Sequence, residues 1–190
     1  MRSHTMKSFY TVMGVLFGLI LTAIGVVYAL YVYNNHSSAV AFQQYEPQHL
    51  PDGLQAERRV VEIWKNPANL LAPNKLLRIH TADKNLTIGE EAYNGYAYNC
   101  SQVATNATCS INETPKGQKY ELTTTVQYES PNNTPIGQDV RLRKDNTHIW
   151  VNVTGNPSKI YSKTSWDTLI DSLAPMSYKN LPTEHYSPGL

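Results

Sequence analysis

Two cysteines, Cys100 and Cys109, are the residues with the clearest chemistry in this chain of 190 residues. They are its only cysteines, and the segment between them, SQVATNAT, is polar. An even number of cysteines in an oxidising compartment indicates a disulfide, with two free thiols as the alternative. The sequence contains no C-x-x-C motif, no flanking lysine or histidine that would activate a thiol, and no further zinc ligands at a familiar spacing. We therefore predict a structural disulfide rather than a redox or metal site.

Tyrosine is unusually frequent, with 13 residues in the chain. Tyr93, Tyr96 and Tyr98 lie close together in a segment predicted to be a strand, Ala92 to Cys100. In such a strand Tyr96 and Tyr98 would share one face, because side chains alternate. Exposed aromatic rings in a row can stack on sugars or peptides, so we predict that these three tyrosines bind a ligand. The alternative is that the rings fill cross-strand pairs within a sheet.

The other residues with catalytic potential are scattered along the chain. The common motifs of serine nucleophiles, zinc metalloproteases and phosphate-binding loops do not occur. His80 and His148 fall in predicted strands and could meet across a sheet, although isolated histidines are more often surface residues. Glu90 and Glu91 are adjacent, so a strand would direct them to opposite faces and they could not share a proton. We expect no enzyme, no cofactor and no metal.

A long apolar segment precedes all of these residues and determines their compartment. Ser8 to Tyr33 carries no formal charge, and a helix of this length exceeds the roughly 30 Å hydrocarbon thickness of a bilayer. Arg2 and Lys7 precede the segment, whereas the first charge after it is Glu46. The positive-inside rule therefore places the N-terminus in the cytoplasm and the rest outside. Cleavage after Ala41 is the alternative, but the apolar run is longer than that of an ordinary signal peptide.

The membrane segment and the charge of the outer part bear on possible partners. Gly14 and Gly18 form a G-x-x-x-G pair, a spacing that lets two membrane helices approach closely. A homodimer through these glycines is one prediction, and a monomeric anchor in the lipid bilayer is the alternative. Beyond the anchor, 14 basic residues stand against 15 acidic ones. Without a basic excess, nucleic acid is not an expected partner.

Composition and periodicity divide the chain into five parts. We predict a cytoplasmic stub at 1–7, a signal-anchor helix at 8–33, an extended linker at 34–53, a folded domain at 54–178 and a flexible tail at 179–190. Runs of β-branched and aromatic residues predict strands in the folded domain. These strands are expected at about 59–64, 75–81, 92–100, 118–128, 138–144 and 148–154.

The clearest local structures are a hairpin and a helix near the C-terminus. In QDVRLRKDNTHIWVNVTG, apolar and polar residues alternate on both sides of a turn at Asp145 and Asn146. Further on, Trp166, Leu169, Ile170 and Leu173 have the spacing of an amphipathic helix that Pro175 ends. Thr164 and Asp167 resemble its capping box. The fold class predicted is α+β, in which a mainly antiparallel sheet carries this helix packed on it.

Three segments together resemble those of a known class of protein. YEPQHLPDGL at Tyr45–Leu54, the hairpin from Gln138 and the helix that reaches Met176 resemble bacterial single-pass membrane proteins with a small C-terminal extracytoplasmic domain of unknown function. Some relatives of that group accompany anti-sigma factors or resemble the lipoprotein-carrier sheet-plus-helix fold. The resemblance implies an envelope protein and transfers no catalytic residue. The segment Met1–Lys7 is too short for a sigma-binding domain, so that regulatory role is not implied.

These observations predict a non-enzymatic module of the cell envelope. It would be tethered to the membrane, exposed outside the cytoplasm, and hold a protein, lipid or glycan partner. A structural subunit of a membrane assembly and an envelope enzyme with a dispersed site are the alternatives.

Overall fold

The structure is a computed structural model that describes residues 2–36, 42–64, 74–82, 85–93, 95, 97–127, 134–154, 160–176 and 181–186. Helix α1 spans Arg2–His36. Within it, Tyr10–Val32 is long and apolar enough to cross a membrane, and none of its most apolar stretch is buried against the rest of the protein. A helix with apolar residues on every side and no protein around it is suited to lipid. The finding fits the predicted membrane anchor.

The remainder of the described chain consists mainly of strands, with one further helix, α2, at Lys163–Asp171. The strands are β1 Gln44–Pro47, β2 Ala56–Trp64, β3 Asn74–Thr81, β4 Leu86–Ala92, β5 Ala107–Glu113, β6 Lys119–Val126, β7 Pro135–Lys144, β8 Thr147–Thr154, β9 Leu173–Met176 and β10 Thr183–Tyr186. Short 3-10 helices lie at Pro51–Gly53 and Cys100–Gln102.

Eight of the strands form one sheet in the order β10-β2-β3-β4-β8-β7-β6-β5. Among these described strands, neighbours are antiparallel except β10, which is parallel to β2. The remaining two, β1 and β9, form a small antiparallel sheet. The architecture is consistent with the predicted α+β class.

The large sheet has two chemically different faces. On the first, which we call the core face, Val61 is paired with Leu77 and Ile149 with Leu142, and all four side chains are fully buried. Trp166, Leu169 and Ile170 of α2 belong to the same hydrophobic cluster. The second, which we call the groove face, carries polar and charged residues in the centre of the sheet.

The hairpin prediction is confirmed. β7 and β8 pair without a register shift and turn at Asp145 and Asn146. Asp145 has a φ of 50°, a conformation that tight hairpin turns require and that Asp tolerates better than most residues. The disulfide prediction is confirmed as well, since Cys100 and Cys109 are bonded with their Cα atoms 5.5 Å apart.

The predicted strand at 92–100 is wrong. β4 ends at Ala92, and the described residues after it do not continue the strand. Gly95 has a φ of 90°, which is incompatible with an extended strand, and the disulfide partner Cys100 begins a 3-10 helix. The true strand, Leu86–Ala92, is interrupted by Gly89 and two glutamates, residues that weaken a strand signal.

Two segments outside the expected domain limits are also part of the fold. Phe42 and Tyr45, within the expected linker, are buried in the hydrophobic cluster, and β1 pairs with β9. β10 lies in the expected tail and adds to the edge of β2. Both pairings involve strands distant in sequence, which local periodicity does not reveal.

Helix α2 begins at Lys163, before the predicted capping residue Thr164. The Ser162 side chain, not Thr164, caps α2 by accepting a hydrogen bond from the Ser165 N–H. Asp167 instead accepts a hydrogen bond from the Tyr120 hydroxyl at 2.8 Å. Leu173 lies beyond the helix in β9, where it is still buried.

The adjacent glutamates of β4 lie on opposite faces, as their spacing predicted. Glu90 is fully buried on the core face and accepts the Tyr45 backbone N–H at 3.0 Å. Burial raises the pKa of Glu90 from 4.5 to about 8, against the smaller opposite effect of that hydrogen bond. The Glu90 carboxyl therefore binds β1, the first strand after α1, while holding its own proton near neutral pH.

This pKa predicts how stability changes with pH. The unfolded chain releases the Glu90 proton near pH 4.5, whereas the folded chain keeps it up to about pH 8. The contribution of Glu90 to the free energy of unfolding is thus largest below pH 4.5, and it is lost as the pH rises towards 8. Glu90→Gln stays uncharged and still accepts the Tyr45 N–H. We expect it to raise the free energy of unfolding at pH 8 by a few kcal/mol and to change it little at pH 4.

The measurement is denaturant unfolding of the full chain in detergent at the two pH values, followed by tryptophan fluorescence. The exposed residue Glu57 provides the matched control, Glu57→Gln. Equal effects of the two substitutions at pH 8 would contradict a buried, protonated Glu90.

Candidate functional site

Six residues, one from each of six neighbouring strands, form a row across the groove face. In sheet order they are Val60, Arg78, Gly89, Trp150, Arg141 and Glu121. The centre of this row is the floor of a groove of about 400 Å³. We call it the central groove, and its lining is Arg78, Thr87, Asp139, Arg141, His148, Trp150 and Asn152.

Gly89 makes room for the aromatic part of the floor. A Cβ atom at this position would lie 2.1 Å from Cζ2 and 2.2 Å from Cε2 of Trp150. Such distances are impossible for non-bonded atoms, so only glycine lets the indole lie against the β4 backbone. A glycine directly opposite a tryptophan in an antiparallel pair therefore gives a flat aromatic floor instead of an ordinary pair of upright side chains.

Arg78 extends the floor on the other side of Gly89. Its Nε donates to Glu62 Oε2 at 2.7 Å, and its guanidinium carbon lies 5.0 Å from the centre of the Trp150 ring. A guanidinium at this distance from an indole face is held by a cation-π interaction. Arg78 is thus fixed between a nearly buried carboxylate and an aromatic ring, an arrangement that keeps its remaining N–H donors in a defined direction.

Two further contacts with carboxylates lie beside the indole. Arg141 donates to Asp139 Oδ2 through Nη2 at 2.8 Å and through Nε at 3.0 Å. Burial raises the pKa of Asp139, and the bond to Arg141 opposes part of that shift. His148 Nδ1 lies 3.0 Å from Glu91 Oε1. The Arg78, Arg141 and His148 side chains of the groove are therefore each in contact with a carboxylate.

A second groove of about 420 Å³ adjoins the first and shares Asp139 and Arg141 with it. We call it the side groove. Its other lining residues are Ala97, Asn99, Val103, Ala104, Ala107, Glu121, Thr123 and Thr125. The disulfide lies at this end, because Cys109 is opposite Thr123 in the β5–β6 pair. Asn99, the residue before Cys100, donates its backbone N–H to Glu121 Oε2 at 3.0 Å. The disulfide thus fixes the segment that borders the side groove.

The predicted ligand-binding tyrosines do not line either groove as far as the structure describes them. The Tyr98 hydroxyl donates to the Lys119 carbonyl at 2.9 Å and accepts from the Arg143 N–H at 3.0 Å, so it joins β6 to β7. The Tyr93 ring lies 4.0 Å from the Arg143 guanidinium carbon. Tyr96 lies outside the described residues. Ligand binding by this group remains a prediction.

The other predicted site residues have clear positions. His80 and His148 are both on the groove face. His80 is paired with Thr87 of β4 and His148 with Glu91 of β4, so the two histidines do not form a pair. Gly14 and Gly18 lie on helix α1, with open space where a side chain would be. A contact between two such helices through these glycines remains a prediction.

Metal binding has one structural candidate among the described residues. Cys100, Cys109 and Glu121 place ligand atoms within 4.8 Å of one another. Because the two sulfurs are joined in a disulfide, neither offers a thiolate to a cation.

Sequence reasoning missed the central groove, although one signal was present. Gly89 interrupts an otherwise plausible strand, which is typical of a close approach by another group. The residue that approaches, Trp150, comes from a strand far along the chain. The pairing of β4 with β8 was needed to connect them.

The fit of Trp150 over Gly89 predicts strong coupling between the two positions. Gly89→Ala should destabilise the protein by about 1–3 kcal/mol, because the indole must leave its place. In a Trp150→Ala background the same change should cost much less. Unfolding of the two single variants and the double variant in detergent measures the coupling. Additive effects would contradict the contact.

Comparisons of this chain with protein-family models, with curated proteins and with solved structures found no match, so the groove itself carries the functional argument.

Proposed function

We propose that this protein is a membrane-tethered, non-enzymatic binding module of the cell envelope, and that its central groove holds a polar ligand outside the cytoplasm. The observation that carries the proposal is the Trp150 indole lying over Gly89 between Arg78 and Arg141. An aromatic surface with a few fixed polar groups around it is typical of ligand sites.

The different chemistry of the two sheet faces supports this role. Helix α2, whose Trp166, Leu169 and Ile170 belong to the hydrophobic cluster of the core face, would supply the apolar cover that a sheet needs on one side. Most of the buried apolar residues belong to that face. Charged residues in the middle of the other face are not required for stability, since burying ion pairs costs desolvation energy. Their accumulation around Trp150 favours a binding role.

The anchor would keep the groove close to the bilayer. Residues 37–43 separate the end of α1 from β1, and a segment of this length spans at most about 25 Å. Arg2 and Lys7 before the apolar span favour a cytoplasmic N-terminus. A disulfide in the outer part fits an oxidising compartment. A ligand of such a module would belong to the envelope zone next to the membrane.

An envelope enzyme is a second candidate, and one observation favours it. The contact with Glu91 orients the His148 imidazole for the role of a base, and burial raises the pKa of the Asp139 carboxyl in the same groove, the direction that a general acid needs. These are the two roles of general acid-base catalysis. Chemical conversion of a bound compound by the wild type, lost in Asp139→Asn, would establish this function in place of simple binding.

The membrane placement predicts a simple biochemical outcome. Full-length protein in vesicles should resist extraction by alkaline carbonate, because Tyr10–Val32 is more stable in lipid than in water. Protease added outside intact spheroplasts should digest the sheet domain after reduction of the disulfide. Complete release by carbonate, or full protection of the domain, would contradict the placement.

The groove predicts a specific loss of binding on substitution. Full-length protein in lipid nanodiscs is incubated with polar compounds extracted from cell envelopes, and retained compounds are identified by mass spectrometry. Retention should be lost in Trp150→Ala and Arg141→Ala, because each removes part of the floor. The matched control is Trp64→Ala, an exposed tryptophan of β2 that lines neither groove. Equal retention by all variants would contradict binding in the central groove.

A further inference from the structure

We infer that the ligand is an uncharged, hydroxyl-rich chain, an oligosaccharide lying across the strands from β3 to β6. This inference rests on the proposed function, since it names the ligand class of the same groove.

The length of the site indicates a chain rather than a single small molecule. The central and side grooves share Asp139 and Arg141 in their linings, so they adjoin at that ion pair. Arg78 of β3 lies at one end and Thr123 of β6 at the other. In sheet order these strands are separated by β4, β8 and β7. Neighbouring strands are roughly 4.8 Å apart, which makes the site about 19 Å long.

The charges of the site favour an uncharged ligand. Arg78 is bonded to Glu62, and Arg141 is bonded twice to Asp139. An anion would have to compete with these carboxylates for the guanidinium groups, and a cation would face the guanidinium groups themselves. A neutral ligand would leave both ion pairs intact.

The polar groups match hydroxyls in particular. Thr87 and Asn152 are cross-strand neighbours beside the indole, and each side chain can both donate and accept a hydrogen bond. The guanidinium of Arg141 can only donate, and the carboxylate of Asp139 can only accept when ionised. A sugar hydroxyl does both, so it suits a site where donors and acceptors alternate over short distances.

The aromatic floor suits the remaining surface of a sugar. A pyranose ring has apolar C–H faces and a polar rim, and a flat indole offers large contact area at little entropic cost. Because Gly89 has no side chain, the Trp150 indole can lie against the β4 backbone as part of the floor. A sugar ring would lie on the indole beside the Arg78 guanidinium, with its hydroxyl rim level with Thr87, Asn152 and the Asp139–Arg141 pair.

An extended peptide is the main competing ligand, and the direction of the site disfavours it. Sheets usually bind peptides along an edge, where main-chain groups are open for pairing. The groove instead crosses β4, β8 and β7, whose main-chain groups are engaged in ladders on both sides. A peptide placed there would have to satisfy its amides with side chains alone.

The test uses full-length protein in nanodiscs and isothermal titration with four probes. These are a linear tetrasaccharide of glucose, one of N-acetylglucosamine, a tetramer of galacturonic acid as the charged counterpart of similar ring size, and an uncharged serine- and threonine-rich hexapeptide. We expect at least one neutral tetrasaccharide to bind with an affinity that high salt does not change. Trp150→Ala should weaken this binding at least tenfold, and the control Trp64→Ala should not.

A second variant guards against a folding defect in Trp150→Ala. Asn152→Leu has a similar volume and removes only hydrogen-bonding groups, so it should also weaken tetrasaccharide binding with an unchanged circular dichroism spectrum. If neither neutral tetrasaccharide binds, the inference is overturned. Binding of the galacturonate or the peptide alone, lost in Trp150→Ala, would refute the ligand class and leave the groove function standing. Binding of any probe that is unchanged in both variants would refute the groove function as well.

Discussion

The alternation of side chains along β4 is the constraint on which the rest of the domain depends. Gly89 and Glu90 are neighbours, so they point to opposite faces of the sheet. On the groove face, the missing side chain of Gly89 admits the Trp150 indole. On the core face, the Glu90 carboxyl accepts a hydrogen bond from the Tyr45 N–H and so binds β1, the strand that follows helix α1. A register shift of one residue in β4 would abolish both features together.

The groove face and the core face differ in the surroundings of their acidic residues. Glu90 lies in an apolar environment and holds its proton, because ionisation there is costly. The acids of the groove face instead lie beside cations, as in the contacts of Glu62 with Arg78 and of Asp139 with Arg141. Such pairs fix the direction of each guanidinium more than they stabilise the fold. Orientation of this kind is what a recognition surface needs.

Helix α1 and the central groove are connected through few elements. β1 follows the helix, pairs with β9 and contacts β4 through Glu90. β9 in turn follows α2, which belongs to the hydrophobic cluster beneath the sheet. The segment that follows α1 therefore contacts the domain on the core face, and the groove face lies on the opposite side of the sheet.

The sequence by itself determined the local features of this protein. The apolar span, the disulfide, the β7–β8 hairpin and the amphipathic helix each depend on neighbouring residues, and periodicity or residue type was enough to predict them. The strand at 92–100 failed because tyrosines favour strands, while Gly95 and the Cys100 bond impose another path. The site was decided only by tertiary structure. Arg78, Gly89, Trp150 and Arg141 become neighbours through strand pairings between distant segments, and no local pattern encodes which strands pair.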